Sequence, residues 1–220
     1  MALQSLSLFL SLLLSLTLHE WAHAWVATLW GDPTPAVQNR LSINPLRHLD
    51  PVGTIFLALI ALSGWGVGWA KPVQISPSRF KHPRCALFFV SLAGPAMNLF
   101  LAFVGWFLFA LFVKFGVFVL QDGGEGALAF NFAHSFLLVN VSLFFFNLLP
   151  LAPLDGSNVL LSLLPKRLSD PLEVLFVRWG LLPLLLLLVA EWATPFKPLT
   201  KLILPAIRGV VAGVRLLTQL

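Results

Sequence analysis

Long apolar runs without a charged side chain constrain the fold of this chain more than any other feature of its sequence. Residues 1–18, 86–113 and 127–154 contain no aspartate, glutamate, lysine or arginine. An α-helix needs about 20 apolar residues to cross a bilayer, and each run approaches or exceeds that length. The whole chain is 58% hydrophobic and only 10% charged, which excludes an ordinary soluble domain. We therefore predict an all-α polytopic membrane protein.

The predicted architecture is a helix bundle of about four to six transmembrane segments. The first segment covers about residues 3–29 and ends before Gly31-Asp32-Pro33, because glycine and proline interrupt helices. Residues 51–70 are apolar but contain several glycines. A re-entrant or short β segment is therefore expected near residues 51–73.

One integral-membrane domain is predicted over residues 1–220. Its core would cover about residues 3–164, and C-terminal helices would follow at about 171–220, the first of them at about 171–192. Residues 199–220 carry a basic side chain at every seventh position. This pattern is typical of an interfacial amphipathic helix or of a short span with snorkelling ends, and both alternatives stay open.

The positive charge of the chain is explained by membrane topology. The formal net charge is +5, but the 14 lysines and arginines are scattered in short segments between apolar runs. This distribution is typical of orientation signals, and we predict no nucleic-acid partner. The basic segment 71–85 would lie in the cytoplasm, whereas Asp122, Glu125 and the N-terminus would lie on the opposite side.

The first apolar segment contains an H-E-x-x-H motif, formed by His19, Glu20 and His23. On a helix, residues four apart lie on one face and about 6 Å apart along the axis, so both imidazoles can bind one ion. Zinc acidifies a bound water, and Glu20 would accept the proton as a general base. The alternative is a helix end that carries interfacial histidine and glutamate without a metal.

Asp155 is the second residue that indicates function. It is the only aspartate, glutamate, lysine or arginine between Gly126 and Pro165. An ionisable side chain next to a long apolar segment is costly unless it has a partner, so a functional role is expected. Pro150 and Pro153 break the helix before it, and broken backbone at membrane depth is tolerated where it lines a cavity.

Together the two motifs resemble those of the site-2 protease family of intramembrane zinc metalloproteases, in its compact prokaryotic form. The family pattern joins H-E-x-x-H with N-x-x-P-x-x-P-L-D-G, which occurs here at residues 147–156. The similarity covers about residues 15–160. It includes the segments Gly31-Asp32-Pro33-Thr34, Asn44-Pro45, Asp50-Pro51-Val52-Gly53-Thr54, Gly68-Trp69-Ala70-Lys71-Pro72-Val73 and Ala93-Gly94-Pro95-Ala96-Met97-Asn98.

The resemblance implies one Zn2+ per chain, held by His19, His23 and Asp155, with Glu20 as the general base. Three protein ligands leave a fourth position open for water, which is the arrangement of a catalytic zinc. The implied reaction is hydrolysis of a peptide bond in or near the transmembrane segment of a membrane-protein substrate. The implied location is the lipid bilayer of the prokaryotic cell (inner) membrane, with the active site towards the cytoplasmic side.

Three asparagines are weaker candidates for the site. Asn147 belongs to the family motif and is expected close to the metal or the substrate. Asn98 matches the family pattern G-P-x-x-N and is expected to contact a metal ligand. Asn140 would either hydrogen-bond the substrate or join two helices, and the second role is favoured.

Residues 66–73 are a hypothetical binding edge for the substrate. A transmembrane substrate arrives as a helix, and unwinding it exposes backbone groups that need new partners. A strand edge containing Gly66 and Gly68 would offer main-chain hydrogen bonds. The alternative is a glycine-rich turn with tryptophans at the membrane interface.

The order of the apolar segments restricts how the two motifs can meet. If residues 51–70 crossed the bilayer fully, two further crossings would carry Asp155 to the face opposite His23. A re-entrant or interfacial segment places both motifs near the same face. We therefore expect residues 51–70 not to cross completely.

Two other functions fit parts of the pattern. Prenyl-protein peptidases also use H-E-x-x-H, but their third ligand is a glutamate, and Glu125, Glu173 and Glu191 have no matching context. A membrane metal-binding or transport protein, or a catalytically inactive homologue, would keep the metal ligands without hydrolysis. The sequence makes no prediction of oligomeric state, because lipid-facing and protein-facing apolar surfaces have similar compositions.

Overall fold

The computed structural model describes residues 2–64, 66, 68–115 and 126–218 of the chain. Within these residues the protein is helical, and no strand occurs. Two short 3-10 helices, Pro45–Arg47 and Pro77–Arg79, lie in connecting segments. The α-helices are α1 (Ala2–Leu29), α2 (Thr34–Val37), α3 (Pro51–Ser63), α4 (Pro83–Lys114), α5 (Ala127–Asn147), α6 (Asp155–Leu163), α7 (Lys166–Trp179), α8 (Leu182–Ala193) and α9 (Pro198–Thr218).

In the part of the chain that the structure describes, three helices, α1, α4 and α5, are long and apolar enough to cross a membrane. Helices α7 and α8 are bent by 66° at a short break, and the pair would make a fourth span if it is counted as one. The prediction of an all-α polytopic membrane protein is therefore confirmed. Among the described residues the number of spans is three, or four with the bent pair, whereas the predicted range is about four to six.

The single helix expected at about residues 171–192 is instead the pair α7 and α8. Gly180, with a φ of 49°, ends α7, and Pro183 lies in the first turn of α8. Glycine tolerates a positive φ, and proline fits the first turn of a helix. Both residues therefore favour a break at this point.

Helix α3 is too short to cross the bilayer. Its 13 residues extend over about 20 Å, whereas the hydrocarbon core is about 30 Å thick. The Asp50 carboxylate accepts a hydrogen bond from the Gly53 N–H at the start of α3, and Gly64, with a φ of 74°, ends it. Neither helix nor strand follows in the described residues up to Ser76. The structure therefore contains the non-crossing segment expected at 51–70 but no β segment in its described part.

Buried polar side chains join α1, α4 and α5 in the centre of the bundle. Asn140 of α5 donates to Ser15 Oγ of α1 at 2.8 Å and accepts from Asn98 Nδ2 of α4 at 2.9 Å. All three side chains are completely buried. In an apolar bundle each of these groups would otherwise be unsatisfied, so the hydrogen bonds fix the packing of the three helices. Asn140 therefore joins helices, which is the second of its two expected roles.

The outer surface of α4 is apolar. Phe100, Phe103 and Phe107 are each more than half exposed. A soluble protein rarely exposes a contiguous apolar surface of this kind, but acyl chains would cover it in a membrane. This surface agrees with the position of α4 as a membrane-spanning helix.

Gly105 lies at a close approach of α4 to α5. A Cβ atom at this position would lie 2.9 Å from both the backbone nitrogen and the Cα atom of Leu137. Backbone atoms cannot rotate away, so any larger residue would push the two helices apart.

We predict that Gly105→Ala lowers the thermal stability of the detergent-solubilised protein by the equivalent of about 1–3 kcal/mol, because the α4–α5 packing must shift. Gly209→Ala in α9 is the matched control, since a Cβ atom there has no neighbour within 4 Å. The control should melt at the wild-type temperature or slightly above it, because alanine favours helix over glycine. Equal melting temperatures for Gly105→Ala and wild type would contradict the close approach.

Candidate metal centre

His19, His23 and Asp155 come together at one end of the bundle. His19 Nε2 lies 3.0 Å from His23 Nε2 and 3.2 Å from Asp155 Oδ2, and His23 Nε2 lies 3.3 Å from Asp155 Oδ1. The histidines are on one face of α1, and Asp155 is the first residue of α6. Both histidines are buried, and the Asp155 side chain is 19% exposed. The structure thus brings together the residues of the two sequence motifs.

The break between α5 and α6 brings Asp155 to the histidines. Because α3 does not cross, α1 and α5 end on the same side of the bundle, as the order of segments requires. Pro150 and Pro153 lie in the break. A Cβ atom on Gly156 would lie 2.3 Å from the Leu148 carbonyl oxygen, so only glycine lets α6 begin this close to the end of α5.

The second nitrogen of each imidazole faces an oxygen of α4. His19 Nδ1 lies 2.6 Å from Asn98 Oδ1, and His23 Nδ1 lies 2.6 Å from the Val90 carbonyl oxygen. A carbonyl can only accept, so His23 Nδ1 donates. Asn98 Nδ2 donates to Asn140, which leaves Asn98 Oδ1 as the acceptor for His19 Nδ1–H. In the neutral imidazoles both Nε2 atoms therefore present lone pairs to the centre of the cluster.

Three acceptor groups thus converge without a donor between them. Two imidazole lone pairs and a carboxylate repel one another unless a proton or a cation lies among them. Asp155 Oδ2 is buried and has no hydrogen-bond partner among the described residues. In a tetrahedral zinc site with bonds of about 2.0 Å, two ligand atoms lie ~3.3 Å apart. The ligand atoms of the three residues lie 3.0–3.3 Å apart, which is close to that distance. The three residues therefore fit a metal ion.

Gly94 of α4 makes room for both imidazoles. A Cβ atom at this position would lie 2.3 Å from His23 Nε2 and 2.6 Å from His19 Nε2. No side chain can occupy that space without displacing a ligand, so bare backbone forms this wall of the cluster.

Glu20 connects the cluster to the segment that follows α3. Its Oε2 accepts a hydrogen bond from the Val73 N–H at 2.8 Å and lies 4.0 Å from Arg40 Nη2. The Glu20 side chain is 14% exposed. The carboxylate next to His19 is therefore held in place by two groups that lie outside the H-E-x-x-H motif.

Arg40 and His48 are buried in the connection between α2 and α3. The Arg40 guanidinium donates to the carbonyl oxygens of Arg47 and Lys71, and the Lys71 N–H donates to the His48 carbonyl at 2.8 Å. Burial lowers the pKa of Arg40 despite the opposing effect of Glu20. Burial also lowers the pKa of His48, so this imidazole is neutral at pH 7. These contacts attach residue 71 firmly to the protein.

Asp32 holds the other end of the same segment. Its carboxylate accepts from the Ser76 N–H at 2.6 Å and from the N–H and hydroxyl groups of Thr34. Burial alone would raise the pKa of Asp32, but these hydrogen bonds and Arg79 at 4.0 Å lower it below its ordinary value. Residues 71–76 are therefore anchored at both ends.

The side chain of Asn98 contacts His19, one of the candidate metal ligands, whereas the side chain of Asn147 contacts its own helix. Asn147 lies at the end of α5, and its side chain donates to the Leu143 carbonyl at 3.0 Å. A role for Asn147 in binding substrate stays a prediction.

Gly66 and Gly68 pack against α3. A Cβ atom on Gly66, whose φ is 145°, would lie 2.9 Å from the Ile60 side chain, and one on Gly68 would lie 2.5 Å from the Leu57 side chain. Both glycines therefore have a packing role that does not depend on a substrate. Val67, between them, lies outside the described residues.

Arg84 has a structural role that its sequence pattern does not indicate. The pattern predicts an orientation signal, but the guanidinium donates to the carbonyls of Leu161, at 3.2 Å, and Leu164 at the end of α6. Such terminal carbonyls lack partners within the helix, and a cation also interacts favourably with the helix dipole. Arg84 thereby fixes the helix that begins with Asp155.

Comparison with known proteins finds similarity to a peptidase family. The model of peptidase family M50 matches residues 116–190, which include Asp155. The Bacillus subtilis (strain 168) protein named "Putative zinc metalloprotease YwhC" is 46% identical over 142 residues, which are 64% of this chain and 62% of that protein. The chain spans about three fifths of the length of this relative. No solved structure matches the chain.

The match to the model of peptidase family M50 confirms the resemblance that the two motifs predict. The matched region contains the N-x-x-P-x-x-P-L-D-G motif, whereas H-E-x-x-H precedes it. In the structure the two motifs meet at the His19, His23 and Asp155 cluster. The donor set agrees with the zinc in the name of the relative.

We predict that Asn98→Ala weakens zinc binding about 10- to 100-fold, because His19 loses the oxygen that orients its ring and fixes its tautomer. Competition with a chelator for the metal measures the affinity. Asn131→Ala is the matched control, since Asn131 is also buried but makes no described hydrogen bond to the three ligands. A zinc affinity of Asn98→Ala equal to that of the control would refute this role.

Proposed function

We propose that the chain is an intramembrane zinc metalloendopeptidase that hydrolyses a peptide bond in or near the transmembrane segment of a membrane-protein substrate. The observation that carries the proposal is the convergence of two imidazoles and a carboxylate next to Glu20, within a bundle of membrane-spanning helices. The name of the Bacillus subtilis relative supports the same metal and reaction class. The proposed catalytic core covers about residues 3–164.

In the proposed reaction each side chain has one task. His19, His23 and Asp155 would hold one zinc ion, which supplies Lewis-acid chemistry and acidifies water when it is bound. Glu20 would accept the proton of the attacking water and deliver it to the leaving amine. Asn98 would keep the His19 ring in the tautomer that can bind a metal.

We further propose that residues 72–74 pair with the substrate backbone. An unwound substrate needs partners for its freed N–H and carbonyl groups. Lys71 and Val73 direct backbone groups towards the protein, where they are hydrogen-bonded. Alternate residues of an extended chain face opposite ways, so the backbone groups of Pro72 and Gln74 would face away from the protein. This edge overlaps the segment expected from the sequence, residues 66–73, only at residues 72 and 73.

The proposed location is the prokaryotic cell (inner) membrane, with the site towards the cytoplasm. Arg84 contacts the end of α6, so the basic segment 71–85 adjoins the helix that carries Asp155. Basic connections are typical of the cytoplasmic side. Asp122 and Glu125, expected on the opposite side, lie outside the described residues.

We predict that Glu20→Gln keeps about one zinc per chain but cleaves a model transmembrane substrate about 10²- to 10⁴-fold more slowly, because an amide cannot accept the proton. Asp155→Ala should lose both zinc and cleavage. Mass spectrometry of the detergent-purified protein measures the metal, and product formation on gels measures cleavage. Asp170→Ala, which removes an exposed carboxylate of α7, should change neither.

Each outcome of this experiment separates the candidate functions. Unchanged zinc in Asp155→Ala would break the proposed link between the two motifs. Cleavage that survives in Glu20→Gln would remove the proposed mechanism. Zinc binding without any cleavage by the wild type would favour a metal-binding or transport protein, or an inactive homologue.

The proposed substrate edge is tested by the pair Gln74→Pro and Gln74→Ala. Proline removes the backbone N–H, whereas alanine keeps it and loses only an exposed side-chain hydrogen bond with Gln38. We predict that proline lowers kcat/KM about 10-fold at unchanged zinc content, while alanine changes it less than about twofold. Equal cleavage by the two variants would contradict pairing at residue 74.

A further inference from the structure

Arg40 carries a buried positive charge next to the proposed general base. Its side chain is 5% exposed, and Nη2 lies 4.0 Å from Glu20 Oε2. The guanidinium also donates to the carbonyl oxygens of Arg47 and Lys71. One side chain therefore contacts α1, the connection between α2 and α3, and the segment that precedes α4.

The burial of Arg40 makes its partners important. A cation removed from water needs an opposite charge and hydrogen-bond acceptors close by. In the described part of the chain, the acceptors are two backbone carbonyls, and the paired carboxylate is Glu20. The planar guanidinium presents its donors in a rigid fork, so it fixes the direction of each partner as well as its distance.

Arg40 and Glu20 hold the same short segment at two points. Arg40 donates to the Lys71 carbonyl, and Glu20 accepts from the Val73 N–H at 2.8 Å. These anchors are two residues apart and flank Pro72. Glu20, Arg40 and residues 71–73 therefore each contact the other two.

We propose that Arg40 is a positioning residue for hydrolysis, which holds the Glu20 carboxylate and residues 71–73 in a fixed relation to each other. The base then faces the peptide bond that this segment presents. Arg40 acts through Glu20 and the Lys71 carbonyl, and it touches neither substrate nor metal. This inference rests on the proposed peptidase function.

Loss of Arg40 should affect both turnover and substrate binding. Glu20 would lose the charge that orients it, and the Lys71 carbonyl would lose its donor. A misplacement of about 1 Å can cost on the order of 10²-fold in rate. We expect Arg40→Ala to lower kcat about 10- to 100-fold and to raise KM, without loss of zinc. Arg40→Lys should recover part of kcat, because it keeps the charge but not the fork.

Arg47→Ala is the matched control for the loss of charge. Arg47 lies in the same connection, and its side chain is exposed. The backbone carbonyl that accepts from Arg40 remains in this variant. Arg47→Ala should therefore cleave the model substrate with wild-type kcat and KM. All rates are compared per mole of zinc-loaded, folded protein.

Hydrogen–deuterium exchange supplies a readout that does not depend on cleavage. Peptides covering residues 71–76 should exchange faster in Arg40→Ala than in the wild type or Arg47→Ala, because one anchor is lost. Peptides from α5 should exchange equally in all three proteins. Faster exchange throughout the chain would indicate general destabilisation and would overturn the positioning role.

The kinetic outcomes are also decisive. Wild-type kcat and KM in zinc-loaded Arg40→Ala would overturn the inference, even if the yield or melting temperature were lower. If Arg40→Ala does not fold, Arg40→Gln serves instead: a lower kcat supports the inference, and wild-type kinetics overturn it. Absence of cleavage by the zinc-loaded wild type would overturn the proposed function itself. Equal cleavage by the wild type and the variant would overturn only the role of Arg40.

Discussion

The structure depends on a chain of hydrogen bonds buried inside an apolar helix bundle. It runs from Ser15 through Asn140 and Asn98 to His19 Nδ1. Each member satisfies its neighbour, and none could be left unpaired cheaply among apolar side chains. The bonds that lock three helices together therefore also set the tautomer of His19, a proposed metal ligand. Helix packing and ligand orientation are consequences of the same interaction.

The spans and the candidate metal ligands could be named from the sequence because both depend on local patterns. Uncharged runs indicate helices α1, α4 and α5, and the spacing of His19 and His23 places both on one helical face. The incomplete crossing of residues 51–70 followed from a count of crossings, since Asp155 must reach His23. The break at Gly180 was missed because an apolar pattern continues on both sides of it.

The roles of Arg40 and Arg84 could not be predicted, because they depend on contacts distant in sequence. Arg40 binds a carbonyl 31 residues away, and Arg84 binds one 80 residues away. A basic residue beside an apolar segment agrees with the positive-inside rule whether or not it also makes buried contacts. The sequence pattern therefore does not distinguish an orientation signal from a structural arginine. The role of Gly66 and Gly68 could not be predicted either. Close packing against α3 and contact with a substrate both favour glycine, so the sequence does not distinguish between them.

The third residue of the cluster, Asp155, comes from a helix that is synthesised after α4 and α5. The histidine pair is present once α1 has entered the membrane, but Asp155 follows only after α4 and α5. Two imidazoles alone leave the cluster without its carboxylate, so a chain interrupted before α6 lacks the complete donor set. Because of the order of the helices, a nascent or truncated chain that lacks α6 cannot assemble the three-residue cluster.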